Sequence, residues 1–272
     1  MSAVDVDVRI ETSDPRLPLP LVDLDAGRAL LWSAKSGCTA LTLAFLMAAD
    51  PTLAVDFSKP VKPSDVTRLR NAYAARTKAT PASVELWLRQ RSLFKIKAVR
   101  NPFTRVVSAF VMLMRDFLRN GRDLTGLVAA AASNRDVGDP RFLSFVDFLG
   151  FLETLQLECA NIHVRPQLSA FERDADNAVD FRISIESIEA DLARLRLEQG
   201  LDLTLPRSPT FRHHHAPSDS TQCVAATPFC ELHSIPSHRY FYDLEAMQLV
   251  QACYRDDLSA YGYHYPWQLP EG

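Results

Sequence analysis

The chain has 272 residues, which is enough for one large α/β domain or two small ones with a buried core. Hydrophobic residues make up 47% and charged residues 23%, a composition typical of soluble globular proteins. The formal net charge of −3 excludes a global basic field that would attract nucleic acid or an anionic membrane, but it is compatible with a local basic site.

Neither the N-terminus nor the cysteines indicate secretion. The first residues, M-S-A-V-D-V-D-V-R-I, are acidic and lack the apolar core of a signal peptide, and no apolar run approaches a membrane span. The cysteines are scattered and odd in number, which favours free thiols in a cytosolic chain: Cys38, Cys159, Cys223, Cys230 and Cys253. Because none of them has C-x-x-C spacing with a matching second pair, we expect no metal site.

The first predicted unit is strand, tight loop and helix. Residues 1–27 are rich in Asp and Pro without periodicity, which predicts an extended lead-in. Ala29–Trp32 is a short apolar run that predicts a buried strand. The small residues S-A-K-S-G-C-T form the loop, and an apolar helix then continues to the break at Asp50-Pro51.

A second strand–turn–helix unit follows a connection that carries short helices. Leu93–Val99 alternates apolar residues with Lys95 and Lys97, which predicts a strand with one polar face or a place near the sheet edge. Asn101-Pro102 combines a favourable N-cap with a favourable first helical residue. The helix that they open ends at Asn120-Gly121.

The rest of the chain predicts one more strand, three helices and a long loop, and the first of these helices is the apolar run F-V-D-F-L-G-F-L-E-T-L capped by Ser144. Val179–Ile185 is the third strand, and Glu186–Gln199 is an amphipathic helix ended by a glycine. Residues 201–238 look like a loop, and a loop of that length is usually functional or mobile. A single last helix is predicted from Asp243 to about Tyr261. We interpret residues 1–272 as one domain.

The first loop has the chemistry of an anion site. Unpaired N–H groups and the dipole of a helix N-terminus favour negative charge there, and Gly37 permits close approach of the backbone. Lys35 adds a full positive charge, and Ser36 and Thr39 add hydroxyl groups. The residues alone equally allow a strand–turn–helix corner with an exposed lysine. In a parallel sheet this loop and the turn that begins at Arg100 after the second strand, the two corners, would both lie at the carboxyl edge, where α/β proteins bind ligands.

With both corners placed, the chain resembles sulfotransferases that use 3′-phosphoadenosine 5′-phosphosulfate (PAPS), in particular the carbohydrate branch. S-A-K-S-G-C-T is similar to the family's P-K-x-G-x-T loop, with Ala34 in place of the proline. V-R-N-P-F-T-R-V-V-S-A-F is similar to its V-R-N-P-x-x-R-x-x-S-A-Y element. Weaker similarities in the same order are F-V-D-F-L, H-V-R-P-Q, F-R-I-S-I-E-S-I-E-A-D-L and Y-R-D-D-L-S-A-Y-G-Y. The resemblance implies a P-loop-like three-layer α/β sandwich, with a mostly parallel central sheet and helices on both faces.

The resemblance also implies roles for individual residues. Lys35 would contact the phosphosulfate and offset the charge that builds on the bridging oxygen as the S–O bond breaks. The 5′-phosphate would be held by the loop residues Ser36, Gly37, Cys38 and Thr39. The 3′-phosphate would be held by Arg100 and Ser108. Arg105 can share a helix face with Ser108, and its role stays open. PAPS would be the co-substrate and adenosine 3′,5′-bisphosphate the product, without a metal.

Sulfuryl transfer to a hydroxyl also needs a general base. His163, in H-V-R-P-Q, is the first candidate because an imidazole titrates near neutral pH. It could equally cap a turn or be hydrogen-bonded in the core. Other candidate bases are Glu153, Glu186 and the loop residues His213, His214 and His215. Arg165 would contact the phosphosulfate or the acceptor, or else form a surface salt bridge.

Two other functions remain open at this stage. A P-loop phosphotransferase such as a small-molecule kinase fits the first corner, but its lysine should follow a second glycine. A nucleotide-binding module that lost its base fits both corners. If the chain is a sulfotransferase, its net charge disfavours a long polyanionic acceptor and favours a hydroxyl on a carbohydrate, glycolipid or natural product. The missing signal and membrane anchor predict a cytoplasmic enzyme, and a bacterial source fits that prediction.

Overall fold

The computed structural model describes residues 19–53, 61, 63–89, 92–121, 123, 125–174, 178–205 and 222–268. Its sheet has four strands: β1 (Leu21–Asp23), β2 (Arg28–Leu31), β3 (Phe94–Val99) and β4 (Phe181–Ser184). They lie in the order β1-β2-β3-β4. The pairs β2–β3 and β3–β4 are parallel, and β1 runs antiparallel to β2.

Helices connect and surround these strands. Within the described ranges they are α1 (Cys38–Ala49), α2 (Pro63–Arg76), α3 (Pro81–Leu88), α4 (Pro102–Asn120), α5 (Leu127–Asn134), α6 (Phe145–Glu153), α7 (Ala170–Arg173), α8 (Ile188–Gln199), α9 (Leu244–Cys253) and α10 (Arg255–Tyr261). Local chemistry explains their ends. The Asn101 side chain accepts the Phe103 N–H at the start of α4, and Gly121 and Gly200 end α4 and α8 in left-handed conformations. None of the described helices is long and apolar enough to cross a membrane.

Successive residues of β2 face opposite sides of the sheet, as a strand requires. Leu30 packs with residues of α1 and α8, whereas Ala29 and Leu31 pack with α3. Both faces of a mostly parallel sheet are therefore covered by helices, which confirms the predicted P-loop-like α/β architecture. A separate apolar core lies among α4, α5, α6 and α9 and contains none of the strand residues.

Two sequence-based expectations were wrong in detail. Part of the predicted lead-in forms β1, which pairs with β2. The strand with alternating lysines has no solvated polar face, since Lys95 and Lys97 are both buried. This strand, β3, lies beside the edge strand β4, as the alternative of a place near the sheet edge expected. The Lys97 Nζ donates to Glu172 Oε2 at 2.6 Å and to the Gln167 carbonyl oxygen at 2.7 Å.

The predicted last helix is also interrupted. It divides into α9 and α10 at Tyr254, whose backbone leaves the helical region. The Tyr254 side chain is buried, and its hydroxyl donates to the Val164 carbonyl oxygen at 2.8 Å. Of the predicted loop at 201–238, residues 206–221 lie outside the described residues, and a 3-10 turn occupies Phe229–Glu231. The single-domain interpretation stays a prediction.

Candidate active site

The two strand–turn–helix corners meet at the carboxyl edge of the sheet. β2 and β3 are parallel, with Leu31 opposite Lys97, so the loops that follow them leave the same edge. The Arg100 Nη1 donates to the Lys35 carbonyl oxygen at 3.1 Å, and the Arg105 Nε donates to the Ala34 carbonyl oxygen at 2.9 Å. The predicted proximity of the corners is confirmed.

The first loop leaves the N-terminus of α1 open. Gly37 is its N-cap, with a φ of 65°, and it supplies no side-chain cap. The first amides of α1 therefore point outward without intrahelical partners, which is the geometry of an anion site. A Cβ on Gly37 would lie 2.4 Å from Ile185 Cδ1, so a larger residue would be both strained and crowded. Cys38 and Thr39 are half-buried at this helix start.

Lys35 lies in the same loop and is held in an unusual backbone conformation, with a φ of 68°. Its pKa is lowered to about 8, mainly by burial and also by the nearby charges of Arg100 and Arg105, while Cys38 and Asp116 oppose the shift. At neutral pH the ammonium group still carries its charge. The loop thus offers a desolvated cation beside free amides.

Two arginines add to this positive charge. The pKa of Arg100 is lowered to about 10, mainly by burial, while the charge of Glu186 offsets part of the shift, and the guanidinium stays charged. Arg105 is only 1% exposed, and its Nη2 is buried without a hydrogen-bond partner among the described residues. Within the described part of the chain, neither arginine nor Lys35 forms an ion pair. Charge that is buried or half-buried without an ion-pair partner is costly, so the site favours an anion.

Ser108, the other predicted 3′-phosphate residue, lies on α4 and is half-buried. Its Oγ is 3.2 Å from His238 Nε2. His238 comes from the 3-10 turn His238–Phe241 and was not singled out from the sequence. Because 130 positions separate it from Ser108, no local pattern could have revealed the contact.

Gln167 is the last residue of H-V-R-P-Q, and the sequence indicated no role for it. Its Oε1 accepts the Ser36 hydroxyl at 2.6 Å and the Arg100 N–H at 2.8 Å, and its Nε2 donates to the Arg100 carbonyl oxygen at 2.7 Å. Its own backbone N–H donates to the buried Asp257. One amide therefore joins both corners. The Ser36 hydroxyl, predicted to bind phosphate, is buried and already has this partner.

His163 is half-buried near the cations. Its pKa is lowered to about 4, mainly by burial and in part by the charges of Lys35 and Arg105. The imidazole is therefore neutral at pH 7. Its Nδ1 lies 2.8 Å from Asn161 Oδ1. The structure thus places a neutral imidazole in the electric field of the loop.

The other base candidates lie in different surroundings. Glu186 caps α4, because its Oε1 accepts the Asn101 N–H at 2.9 Å and its Oε2 accepts the Tyr263 hydroxyl at 3.0 Å. Glu153 is exposed at the end of α6, where its charge acts on the Cys253 thiol. The predicted candidates His213, His214 and His215 lie outside the described residues.

Arg165, two residues after His163, donates from its Nε to the Ala160 carbonyl oxygen. It forms no surface salt bridge within the described ranges. In those ranges, no group of three or more His, Cys, Asp or Glu side chains could hold a metal ion.

Comparison with known families agrees with this geometry. A model described as "Sulfotransferase family" matches residues 34–264, from the first loop to the segment after α10. The chain belongs to the sulfotransferase family. It is therefore an enzyme that transfers a sulfuryl group to a hydroxyl-bearing acceptor. The family in general uses PAPS as the donor. Comparison with curated proteins and with solved structures gives no match.

Proposed function

We propose that this sulfotransferase binds PAPS across the two corners and transfers its sulfuryl group to a hydroxyl of a carbohydrate, glycolipid or natural product. The observation that carries the proposal is the convergence of Lys35, Arg100 and Arg105 where the parallel strands end. Within the described residues no carboxylate pairs with them. A nucleotide with negative charge at both its 3′ and 5′ positions would compensate this charge.

The 5′-phosphosulfate is assigned to the N-terminus of α1. There the amides of Gly37, Cys38 and Thr39 would hold the phosphate, and the Lys35 ammonium would offset charge on the bridging oxygen. Ser36 would contribute through the loop conformation, because its hydroxyl donates to Gln167. The 3′-phosphate is assigned to Arg100 and Ser108.

His163 is assigned as the general base. Its pKa of about 4 makes it a weak base in the free enzyme, and part of that shift comes from the charges of Lys35 and Arg105. Donor binding would neutralise much of this positive charge. We therefore expect the pKa of His163 to rise toward its ordinary value only when the donor is present. His163 would then be a stronger base in the complex that carries out the transfer than in the free enzyme.

Titration with adenosine 3′,5′-bisphosphate by calorimetry tests the donor site. Loss of one charged contact costs about 1.5–3 kcal/mol, so Lys35→Ala and Arg100→Ala should each weaken binding by about 10- to 100-fold. Lys35→Ala should also abolish sulfuryl transfer. Lys78→Ala and Arg119→Ala are matched controls, because both side chains are exposed. The proposal fails if the wild type shows no saturable binding, or if Lys35→Ala transfers normally.

The acceptor class needs a separate experiment. A screen of hydroxyl compounds with labelled donor should favour small glycosides and glycolipids over long polyanions, because the net charge is −3. Strict dependence on Mg²⁺ with phosphate transfer from ATP would instead favour a phosphotransferase. The cytoplasmic location, bacterial source and absence of a metal remain predictions from the sequence.

A further inference from the structure

The turn that carries His163 is built around the side chain of Asn161. Its Oδ1 accepts the His163 backbone N–H at 3.1 Å and lies 2.8 Å from His163 Nδ1. The Asn161 carbonyl oxygen also accepts the N–H groups of Val164 and Arg165, at 3.0 and 3.1 Å. One residue thus shapes the turn and contacts the imidazole ring.

These contacts determine which ring nitrogen carries the proton. A backbone N–H can only donate, so the Asn161 atom that it meets must be the amide oxygen rather than the amide nitrogen. That oxygen can only accept, so the Nδ1 beside it must carry hydrogen. A neutral imidazole has one N–H, and its other nitrogen then holds a lone pair. For His163 that nitrogen is Nε2.

We infer that Asn161 is a positioning residue that holds His163 as the Nδ1–H tautomer, so that Nε2 takes the proton of the acceptor. The inference rests on the proposed role of His163 as base. In the step itself, the acceptor oxygen forms a bond to sulfur while its proton moves to Nε2. The bond from sulfur to the bridging oxygen breaks, and its electron pair remains on the 5′-phosphate of adenosine 3′,5′-bisphosphate.

Asn161 also suits the charged state that this step produces. Both nitrogens of an imidazolium donate, and Asn161 Oδ1 already faces the Nδ1–H that would carry part of the positive charge. No side chain has to rotate as the proton arrives. The ring would be held in one orientation throughout, as bases in catalytic sites usually are by a third group.

Nitrogen NMR of the imidazole ring tests the tautomer without any turnover. In protein labelled with ¹⁵N-histidine, with the signal assigned through His163→Gln, we expect a protonated Nδ1 and an unprotonated Nε2 at pH 7. In Asn161→Ala the two nitrogens should shift toward a mixture of tautomers. A protonated Nε2 in the wild type, or an unchanged spectrum in Asn161→Ala, would overturn the inference.

Kinetics test whether the tautomer matters for transfer. Asn161→Ala should lower kcat by about 10- to 100-fold, a fraction of what a general base contributes, with little change in KM for the donor. Asn134→Ala, at the exposed end of α5, is the matched control and should be unaffected. If Asn161→Ala does not fold, the Asn161→Asp variant tests the role of Asn161 instead. Its carboxylate should raise the pKa of His163 and move the acid limb of kcat/KM to higher pH, which a purely structural residue would not do.

The same variants separate this inference from the proposed function. If His163→Ala binds adenosine 3′,5′-bisphosphate and retains full turnover, the base assignment is wrong, and the catalytic role of Asn161 is wrong with it. If His163→Ala is inactive while Asn161→Ala keeps its kcat and Asn161→Asp keeps its acid limb, only the role of Asn161 is wrong.

Discussion

Burial of a single residue, Lys35, determines the pH range in which we expect the enzyme to be active. Burial lowers its pKa to about 8, so the charge needed by the donor is lost just above neutral pH. We expect kcat/KM, which reports groups of the free enzyme, to fall about tenfold per pH unit above pH 8. A pH–rate profile at saturating acceptor measures this limb. Lys35→Arg should remove it, because a guanidinium remains charged throughout this range.

The arginine variant also provides the control for this assignment. Its activity near pH 7 should be lower than that of the wild type, since a planar guanidinium does not reproduce the position of the ammonium group. If the fall above pH 8 persists unchanged in Lys35→Arg, another group titrates there and the assignment to Lys35 is wrong.

Residues with local signatures were predictable, and residues that act through distant partners were not. Lys35 and Arg100 follow strands and precede helices, so their place at the sheet edge could be inferred from sequence alone. Gln167 ends the H-V-R-P-Q element, but that resemblance did not show its role, because its partners Ser36 and Arg100 are 131 and 67 positions away. Side-chain bonds across such separations depend on the completed fold.

At the scale of elements, Gln167 joins the β2–α1 unit to the β3–α4 unit. Gln167→Leu would leave the buried Ser36 hydroxyl and the two half-buried backbone groups of Arg100 without their partner. We expect the free energy of unfolding to fall by about 2–4 kcal/mol, because an orphaned buried group costs about 1–3 kcal/mol and water can partly replace the partner of the two half-buried groups. Urea denaturation measures it, and Gln251→Leu, on an exposed part of α9, is the control.

A second substitution of Gln167 separates its contribution to stability from its contribution to the alignment of the two corners. Gln167→Glu keeps an acceptor for Ser36 and for the Arg100 N–H, but it cannot donate to the Arg100 carbonyl oxygen and it adds negative charge beside the phosphate sites. It should weaken binding of adenosine 3′,5′-bisphosphate more than its loss of stability explains. Unchanged binding by folded Gln167→Glu would mean that the corners keep their geometry without this amide.

Which elements were predictable follows from their length and from what their polar residues contact. α4 has a cap, a proline, a broad apolar stripe and a terminal glycine, and all four signals agree. β1 has three residues, too few for an alternating pattern. The lysines of β3 were assigned to a polar face because a sequence does not show Glu172, which pairs with Lys97 inside the protein.

At the level of the whole molecule, a chain of net negative charge carries a local cluster of cations, of which Arg105 is buried and Lys35 and Arg100 are half-buried. Close cations destabilise the folded state, and an anion that binds only the folded state relieves this cost. Adenosine 3′,5′-bisphosphate at about 100 times its Kd should therefore add about 2.7 kcal/mol to the free energy of unfolding. For a chain of this size we expect Tm to rise by about 5–10 °C.

Nucleotides that lack one phosphate show which corner supplies the stabilisation. Adenosine 5′-monophosphate should raise Tm less, because it offers nothing to Arg100 and Ser108, and adenosine 3′-monophosphate should raise it less because it leaves Lys35 uncompensated. Added salt should reduce all three shifts only in part, since partly buried charges are screened less than exposed ones. Equal shifts from the bisphosphate and either monophosphate would mean that only one corner binds phosphate, which would contradict a donor held at both ends.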